Sequence, residues 1–388
     1  MSLRPLKVLY LIDSLGPGGA QRQLVTLLSH LDPSVVSPEL VYYHSLEHFR
    51  EALETTGVTA HVLRGRGGKD PRTIFRLIRL LNRSNFDIIH SYLPTPGVLA
   101  RAAGLIGPRV GIVISFRGPN FAGTPWRLAL ERLLAQRADA AIANSRCVRD
   151  EVRRLIPALS GKVRVIRNGI SVPSDCRSLK ERAQSFRSRY LQNGGCMLLG
   201  VVGRMERDKN PLLLVRALHL LDPQALSRLQ VIWVGPENDR ELAAEFRRSC
   251  REAGVESRVH VIPVTTDMEC IYLAIDALLL TSSRESLPNV VLEALAHARP
   301  VVATDVGDVR ALLSSGGVRI VPPDDSGALA ASIDELLDTS EAERETIGAR
   351  AADYVLHEYA VDRMVEATID VYREVAQMAP AREVSGTE

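Results

Sequence analysis

Residues 7–21, which read KVLYLIDSLGPGGAQ, contain the first decisive signal for the fold. Residues 7–12 form a short apolar run that is typical of a buried β-strand. The loop that follows carries Gly18 and Gly19 and leads into a segment whose leucines recur with helical spacing. A strand, a glycine-containing loop and a helix in this order make up the repeating unit of parallel sheets with crossover helices. The stretch therefore predicts an α/β fold.

The same alternation of short apolar runs and longer helical segments continues along the chain. In the first half, further strands are predicted at residues 40–43, 60–63, 87–90, 110–115, 140–144 and 163–166. In the second half, strands are predicted at residues 197–202, 230–234, 259–262, 277–280, 301–304 and 319–321. We therefore expect two consecutive doubly wound, Rossmann-like sheets, with ligands at the carboxyl ends of the strands in a cleft between two domains.

A chain of 388 residues is longer than one hydrophobic core usually serves. A cluster of Gly, Pro, Ser and Asp at residues 169–175 interrupts the periodic pattern and marks a domain boundary. We predict an N-terminal domain at residues 1–172 and a C-terminal domain at residues 173–357. Residues 358–388 are predicted to cross back to the N-terminal domain as a helix and to end in a frayed tail.

The composition is that of an ordinary globular protein, with 46% hydrophobic residues, 24% charged residues and a mean hydropathy of +0.01. It excludes a disordered chain, and no apolar run approaches the roughly 20 residues of a membrane-spanning helix. Five cysteines without a CxxC pair indicate a reducing compartment. No cleavable leader is evident, so we expect a cytoplasmic protein.

The formal net charge of +2 conceals a strong asymmetry. Residues 1–170 carry 24 Lys and Arg against 12 Asp and Glu, whereas residues 171–388 carry 24 against 34. One interpretation is a basic domain that faces an anionic partner, and the other is attraction between two oppositely charged domains. Nucleic acid is not expected as a partner, because the second half is acidic and no known nucleic-acid-binding motif is present.

Positive charge is concentrated on a predicted helix at residues 70–85. Four arginines share one face of this helix: Arg72, Arg76, Arg79 and Arg83. Because apolar residues occupy the rest of the helix, the pattern predicts a peripheral contact with anionic lipid on the inner face of the cell membrane. The alternative is a crossover helix whose arginines are merely solvated.

Two loops that follow predicted strands in the second half carry residues suited to an anion. Gly203, Arg204 and Lys209 follow the strand at residues 197–202, where two cations could hold a diphosphate unless they pair with nearby acids. The loop after the strand at residues 277–280 contains Glu285.

A predicted helix then begins near Asn289 and Val290, whose amides are placed to bind phosphate oxygens. Glu293 lies eight positions after Glu285, on the first turns of this helix. There it could accept hydrogen bonds from a vicinal diol such as ribose, and the alternative is a structural glutamate.

Together with the Gly18–Gly19 loop and the run Lys209-Asn210, the Glu285 and Glu293 pair resembles the retaining glycosyltransferases of family 4. The resemblance covers nearly the whole chain and implies the GT-B fold, in which two Rossmann-like domains face each other across a cleft. It also implies that the C-terminal domain binds a nucleotide sugar, expected to be UDP-linked. The N-terminal domain would bind the acceptor.

The resemblance assigns roles to individual residues. Glu293 would hold the ribose, Arg204 and Lys209 the diphosphate, and Glu285 the hydroxyls of the donor sugar. Gly203, Asn289 and Val290 would line the nucleotide site, and Gly18 and Gly19 would close on the diphosphate from the N-terminal domain.

The expected chemistry uses neither a metal nor another cofactor. Departure of a nucleoside diphosphate develops negative charge, which fixed cations and helix amides stabilise. Because the chain has no Asp-x-Asp or similar ligand cluster, we expect activity without a divalent cation. In retaining enzymes of this kind the leaving phosphate is thought to take the acceptor's proton, so no glycosidase-like pair of carboxylates is required.

The chain departs from the family pattern after the strand at residues 110–115. Many members have a histidine there, whereas this chain has Arg117, which is predicted to contact the donor sugar. His90, at the end of another strand, is the second candidate for a catalytic role, with a core histidine as the alternative. A Gly/Pro loop at residues 121–127, with Phe121 and Trp126 expected to be exposed, is assigned to the acceptor site.

These observations predict a hexosyltransferase that acts on a glycan or polyprenyl-lipid-linked acceptor in polysaccharide or glycoconjugate biosynthesis. Two alternatives stay open. One is a GT-B-fold sugar-nucleotide epimerase, although its usual catalytic acids and histidines are not evident. The other is a catalytically silent subunit that binds a nucleotide sugar, and the presence of Glu285 and Glu293 beside Arg204 and Lys209 argues against it.

Overall fold

The computed structural model describes residues 4–63, 67–68, 70–119, 121–172, 176–191 and 196–378. Contacts between Cα atoms divide the chain into two units, one of Met1–Gly169 with Val361–Glu388 and one of Ile170–Ala360. The predicted boundaries, after residues 172 and 357, lie three residues from these divisions. The predicted tail at residues 379–388, and residues 173–175 of the predicted boundary, lie outside the described residues.

The first unit contains a sheet of seven strands. They are β1 (Leu6–Leu11), β2 (Val36–Tyr42), β3 (Thr59–Val62), β4 (Ile88–Tyr92), β5 (Gly111–Phe116), β6 (Ala140–Ala143) and β7 (Val163–Val165). Every neighbouring pair is parallel, and the order across the sheet is β3-β2-β1-β4-β5-β6-β7. The sequence predicted all of these strands, with ends that differ by up to four residues.

Helices connect successive strands of this sheet. They are α1 (Gly19–His30), α2 (Arg50–Glu54), α3 (Pro71–Arg83), α4 (Pro94–Ile106), α5 (Pro125–Leu134) and α6 (Arg146–Leu155), with 3-10 turns at Ala135–Arg137 and Pro157–Leu159. Helix α3 shows how local sequence sets a boundary: the Asp70 side chain accepts a hydrogen bond from the amide of Arg72, and Pro71 occupies the first turn.

Both faces of the first sheet are covered. Val8 and Tyr10 of β1 pack into a core with residues of α1, whereas Leu9 and Leu11 pack into a second core with residues of α3 and α4. Successive side chains of a strand point to opposite faces, so a strand covered on both sides is apolar throughout. This is why β1 appears in the sequence as an uninterrupted apolar run.

The second unit repeats the design with six strands. They are β8 (Met197–Val202), β9 (Leu229–Val234), β10 (Val259–Ile262), β11 (Ala277–Leu280), β12 (Val301–Thr304) and β13 (Val318–Val321). The pairs are again parallel, in the order β10-β9-β8-β11-β12-β13. The sequence predicted all six strands, and the doubly wound α/β class is confirmed for both units.

The helices of the second unit complete its two layers. They are α7 (Arg177–Ser188), α8 (Pro211–Leu220), α9 (Pro223–Ser227), α10 (Arg240–Glu252), α11 (Met268–Ala274), α12 (Asn289–Ala296), α13 (Ser326–Asp338) and α14 (Glu341–Glu358), with 3-10 turns at Arg207–Lys209, Glu256–Arg258 and Val309–Ser315. Along the described part of the chain, no helix combines the length and the apolar character needed to cross a bilayer.

The last helix, α15 (Val361–Met378), belongs to the first unit. It is separated from α14 at Tyr359 and Ala360, where the backbone amide of Ile170 donates to the carbonyl of Tyr359 at 2.7 Å. Tyr372 of α15 then packs into the same core as Val8 and Tyr10 of β1. The sequence predicted this return of the chain, although it did not show the break between the two helices.

Buried hydrogen bonds join α15 to the first sheet. The ring nitrogens of His90 lie 2.6 Å from the hydroxyl of Tyr372 and 2.8 Å from the hydroxyl of Ser115, and Tyr372 donates to the hydroxyl of Tyr10 at 2.9 Å. His90 is 0% exposed. Burial, and then the charge of Arg117, holds the pKa of His90 well below its usual range, so the ring is neutral at pH 7.

Because His90 is buried and neutral, we predict that the stability of the protein depends on pH. In the unfolded chain the imidazole binds a proton near its ordinary pKa of 6.5, whereas in the folded chain it resists protonation. Protons then favour the unfolded state, so the free energy of unfolding should fall as the pH drops below about 6.5. Substituting H90Q should flatten this dependence by up to about 1.4 kcal/mol per pH unit.

Urea unfolding between pH 7 and pH 5 measures this effect. H260Q is a suitable comparison, because burial also lowers the pKa of His260 but leaves its side chain only partly covered, so a smaller change of slope is expected. Parallel pH profiles for the wild type and H90Q would contradict the assignment.

Candidate functional site

The strand order of the second sheet reverses between β8 and β11. In open parallel sheets the loops at such a reversal diverge and leave a crevice at the carboxyl ends of the strands, where ligands bind. The residues predicted for a binding site follow these two strands. Gly203, Arg204 and Lys209 come after β8, and Glu285, Asn289, Val290 and Glu293 come after β11.

An ion pair between Lys209 and Glu285 spans this reversal. The ammonium of Lys209 donates to Oε1 of Glu285, and the hydroxyl of Ser282 donates to the same oxygen at 2.8 Å. The side chains of Lys209 and Glu285 are only 22% and 15% exposed, so water screens their charges weakly. The hydroxyl of Thr281 donates to the carbonyl of Lys209 at 2.7 Å and joins the two loops further.

Arg204 occupies a more open position than Lys209. Its guanidinium lies 3.4 Å from the carboxylate of Glu206, and about half of its side chain is exposed. Arg204 therefore fits the alternative interpretation, in which the cation forms a solvated pair with a neighbouring acid. That interpretation does not describe Lys209, which pairs with Glu285 of the loop after β11.

Two glycines allow the loops after β8 and β9 to approach each other. Gly203 and Gly235 have φ angles of +157° and +152°, which side-chain-bearing residues rarely adopt. A Cβ atom on Gly235 would lie 2.2 Å from the carbonyl oxygen of Gly203, so any larger residue would push the loop after β8 away. The indole of Trp233 donates to the same oxygen at 3.0 Å.

A third glycine supports the loop that carries Glu285. Gly307, after β12, has a φ angle of +57°, and a Cβ atom there would lie 2.2 Å from the carbonyl oxygen of Ser286. The amide of Asp308 donates to the same carbonyl at 2.7 Å, and the hydroxyl of Thr304 donates to the carbonyl of Ser282 at 2.6 Å. The position of Glu285 thus depends on contacts with the end of β12 and with the loop that follows it.

Helix α12 begins directly after this loop. Asn289 and Val290 are half-buried in its first turn, which contains no acidic residue. Glu293 lies one turn further and is buried, and its Oε2 atom accepts a hydrogen bond of 2.6 Å from the hydroxyl of Tyr272 in α11. The helix therefore presents a carboxylate in a fixed orientation, close to a first turn that favours anions.

The first sheet reverses its order between β1 and β4, and the glycine loop follows β1. Gly18 caps α1, and a Cβ atom on it would lie 2.3 Å from the side-chain oxygen of Gln21. The amide group of Gln21 donates to Asp13 at 3.0 Å. Gly18 and Gly19 thus begin a helix of 12 residues whose first turn lacks an acidic residue.

Arg117 follows β5 in the same unit and is held by its neighbours. Its guanidinium donates to the side-chain oxygen of Asn168 at 3.0 Å and lies 4.6 Å from the ring centre of Tyr92. Arg117 therefore joins the loops after β5 and β7 at the carboxyl end of the first sheet. Contact with a donor sugar stays a prediction.

Two predictions for residues of the first unit are wrong. His90 is completely buried, with both ring nitrogens in contact with hydroxyl groups, so it is a core histidine and cannot touch a substrate in this conformation. Phe121 is only 4% exposed because its ring packs on Phe116 at 4.6 Å, whereas Trp126 is 64% exposed as expected. Apolar character alone did not distinguish these two aromatic residues.

The sequence prediction missed several residues that shape the site. Gly235 could have been found, because a Gly-Pro pair directly follows a predicted strand. Ser282 lay within the motif but was not assigned a role. Tyr272 gave no local signal, since it lies on a helix 21 positions before Glu293. Among the residues that the structure describes, no three His, Cys, Asp or Glu side chains converge in a way that suits a metal ion.

Two family models match the chain. The model described as Glycosyltransferase Family 4 matches residues 17–172, and the model described as Glycosyl transferases group 1 matches residues 197–339. The first match covers most of the first unit together with residues 170–172, and the second match lies within the second unit and includes both β8 and β11. The two units have the fold of the GT-B class of glycosyltransferases. The chain belongs to the family 4, or group 1, glycosyltransferases.

Relatives with assigned names agree with this family. A D-inositol 3-phosphate glycosyltransferase of Kineococcus radiotolerans is 33% identical over 267 residues, which are 65% of this chain and 60% of that protein. An alpha-maltose-1-phosphate synthase of Mycolicibacterium smegmatis is 28% identical over 67% of this chain and 68% of that protein. The chain thus matches less than two thirds of the first relative's length.

A solved structure shares the fold over nearly the whole chain. The structure of Alr3699/HepE from Anabaena in complex with UDP and glucose has a TM-score of 0.83 at 20% identity, covering 95% of this chain and 100% of that one. A sucrose-phosphate synthase from Thermosynechococcus elongatus has a TM-score of 0.76 at 18% identity, covering 96% and 100% of the two chains.

Proposed function

We propose that this protein is a retaining, metal-independent glycosyltransferase that moves a hexosyl group from a UDP-sugar to a glycan or polyprenyl-lipid-linked acceptor. The observation that carries the proposal is the ion pair of Lys209 and Glu285 at the reversal point of the second sheet, next to the first turn of α12 and the buried Glu293. This arrangement offers a cation and helix amides for a diphosphate and carboxylates for hydroxyl groups.

In this proposal the residues of the site bind different parts of the donor. Lys209 leaves Glu285 for the phosphate oxygens when the donor binds, and Glu285 accepts hydrogen bonds from the sugar hydroxyls. Arg204, which is half-exposed, adds a second cation near the phosphates. Glu293 holds the ribose. A nucleotide sugar thereby replaces the ion pair with a phosphate partner for Lys209 and hydrogen bonds for Glu285, so neither charged group is left buried without a partner.

The transfer step needs no proton from the protein. The bond between the anomeric carbon and the phosphate oxygen breaks, and the acceptor hydroxyl oxygen bonds to the same carbon from the same face. The proton of that hydroxyl passes to the leaving phosphate oxygen. Lys209, Arg204 and the amides of α12 stabilise the negative charge that grows on the diphosphate, which is electrostatic stabilisation of the transition state.

The similar proteins support a UDP-sugar as the donor. The acceptor is a separate proposal. Solved structures of the same fold contain UDP and UDP-glucose. Two relatives are named for products or acceptors that carry a phosphate group. An acceptor with an anionic group also fits the excess of positive charge in residues 1–170.

The exposed face of α3 supports a peripheral position on a membrane. Leu77 and Leu81 of this helix are buried in the core, so its inner face packs as expected for a crossover helix. On the outer face, all four arginines at positions 72, 76, 79 and 83 are exposed, and Phe75 among them is 65% exposed. A basic surface with an exposed aromatic ring suits anionic lipid, where a polyprenyl-linked acceptor would reside.

Thermal unfolding in the presence of a panel of nucleotide sugars tests the donor. The correct donor should raise the melting temperature, because ligand at 100 times its Kd stabilises the folded state by about 2.7 kcal/mol. E293A should lose this stabilisation and the transferase activity. E241A is the matched control, since Glu241 is an exposed glutamate of α10 in the same unit. Unchanged turnover by E293A would remove the ribose assignment.

Analysis of the products formed from the donor that stabilises the protein separates the two alternative functions. An epimerase would convert the donor into a second nucleotide sugar without any acceptor. A silent subunit would be stabilised by the donor yet release no UDP with any acceptor tested.

Metal independence predicts that transfer continues in excess chelator. With cations supplied by Lys209 and Arg204, the initial rate in EDTA should stay within about twofold of the untreated rate, since the charge stabilisation does not depend on a bound ion. A complete loss of activity that only magnesium or manganese restores would refute this part of the proposal.

Membrane contact predicts salt-sensitive binding of the full chain to vesicles that contain phosphatidylglycerol. R76A/R79A should bind about thirtyfold more weakly at low salt, because each basic residue near an anionic surface contributes about 1 kcal/mol. R153A/R154A removes the same charge from exposed positions of α6 and serves as the control. Equal loss in both variants, or no vesicle binding by the wild type, would contradict a specific contact of α3.

A further inference from the structure

Tyr272 and Glu293 form a buried pair that joins two helices of the second unit. The hydroxyl of Tyr272 donates to Oε2 of Glu293 at 2.6 Å. Tyr272 is 0% exposed, and Glu293 is also buried. Both residues lie next to the same apolar core, which contains Ile271, Val291 and Leu292. A short hydrogen bond to a carboxylate in such surroundings is stronger than one between neutral groups.

His297 supports this pair from the other side. Its ring centre lies 5.2 Å from that of Tyr272 with an angle of 32° between the ring planes, and its Nδ1 atom lies 2.8 Å from the backbone carbonyl of Glu293. Burial lowers the pKa of His297, so a neutral ring packs against the phenol. Tyr272 is therefore held between the end of α12 and the core, and its hydroxyl has one position.

The fixed hydroxyl determines how the carboxylate of Glu293 is turned. The terminal torsion of a glutamate side chain rotates easily, so a carboxylate without a fixed partner adopts many orientations. A diol needs one orientation, because its two hydroxyls must donate to the carboxylate together. A hydrogen bond from Tyr272 to Oε2 selects an orientation before the ligand arrives and reduces the entropy lost on binding.

We propose that Tyr272 is a positioning residue for the ribose-binding carboxylate and thereby sets the preference of this protein for ribose over deoxyribose in its donor. The inference rests on the proposed function, in which Glu293 holds the ribose. Tyr272 touches neither the sugar nor the reacting atoms and acts only through Glu293.

Calorimetric binding of UDP and of 2′,3′-dideoxyuridine diphosphate to the full chain tests the inference. The wild type should bind UDP at least tenfold more tightly than the dideoxy compound. Y272F keeps the ring and its packing against His297, and it should weaken UDP about tenfold while changing the affinity for the dideoxy compound less than twofold. Adding Y272F to E293A, which lacks the acceptor for the Tyr272 hydroxyl, should have no further effect on either ligand.

Y42F is the matched control, because Tyr42 also donates to a glutamate, Glu47, at 3.0 Å, but in the first unit. It should leave both affinities unchanged. If Y272F weakens both ligands equally, or preserves the wild-type preference, the positioning role is wrong while the proposed function stands. If the wild type itself does not prefer UDP over the dideoxy compound, the ribose role of Glu293 fails, and the inference fails with it.

Discussion

The ion pair of Lys209 and Glu285 joins the loops that follow two neighbouring strands, β8 and β11, and the rest of the candidate site is arranged around it. At the reversal of the second sheet the chain leaves β8 toward one edge and leaves β11 toward the other, so the two loops start side by side, then diverge, and need a connection between them. The charge pair, with Ser282 on the same carboxylate oxygen, makes that connection. A partly buried pair is stable only where each charge keeps its partner, which fixes both loops before a ligand binds.

Backbone contacts make this arrangement possible. Gly235 lets the loop after β9 lie against the carbonyl of Gly203, and Gly307 lets the loop after β12 lie against the carbonyl of Ser286. Each contact excludes a Cβ atom, so these positions require glycine for steric reasons. The charged side chains between them are consequently placed by the main chain, which is more rigid than a side chain held only by other side chains.

In the first unit a buried polar network joins the elements instead. His90, Tyr372 and Tyr10 connect β4, α15 and β1 through hydroxyl and imidazole contacts, and α15 reaches this position only after the chain has passed through the whole second unit. Polar groups in a core require such partners, because an unpaired one would lose its hydrogen bonds with water without replacement. His90, at the end of a predicted strand, is therefore part of the core rather than of the candidate site.

Much of the fold was predictable because its signals are local. Thirteen apolar runs predicted thirteen strands, and the loops after β1, β8 and β11 were assigned to ligand binding because parallel strands place their carboxyl ends at one edge. The errors and omissions have different causes. The contact of His90 with Tyr372 and the hydrogen bond from Tyr272 to Glu293 join residues on different elements, whereas the burial of Phe121 depends on how the loop after β5 folds back on Phe116.

The sequence by itself determined the α/β class, the order of elements and the loops that carry the candidate site, since periodicity, glycine loops and acid spacing are properties of short segments. The tertiary structure alone decided which polar and charged side chains meet. Lys209 and Glu285 are 76 positions apart and Tyr372 and His90 are 282 positions apart, and only the sheet topology brings each pair within hydrogen-bonding distance. Hydrogen bonds and ion pairs act over a few ångströms, so partners chosen by topology cannot be read from spacing along the chain.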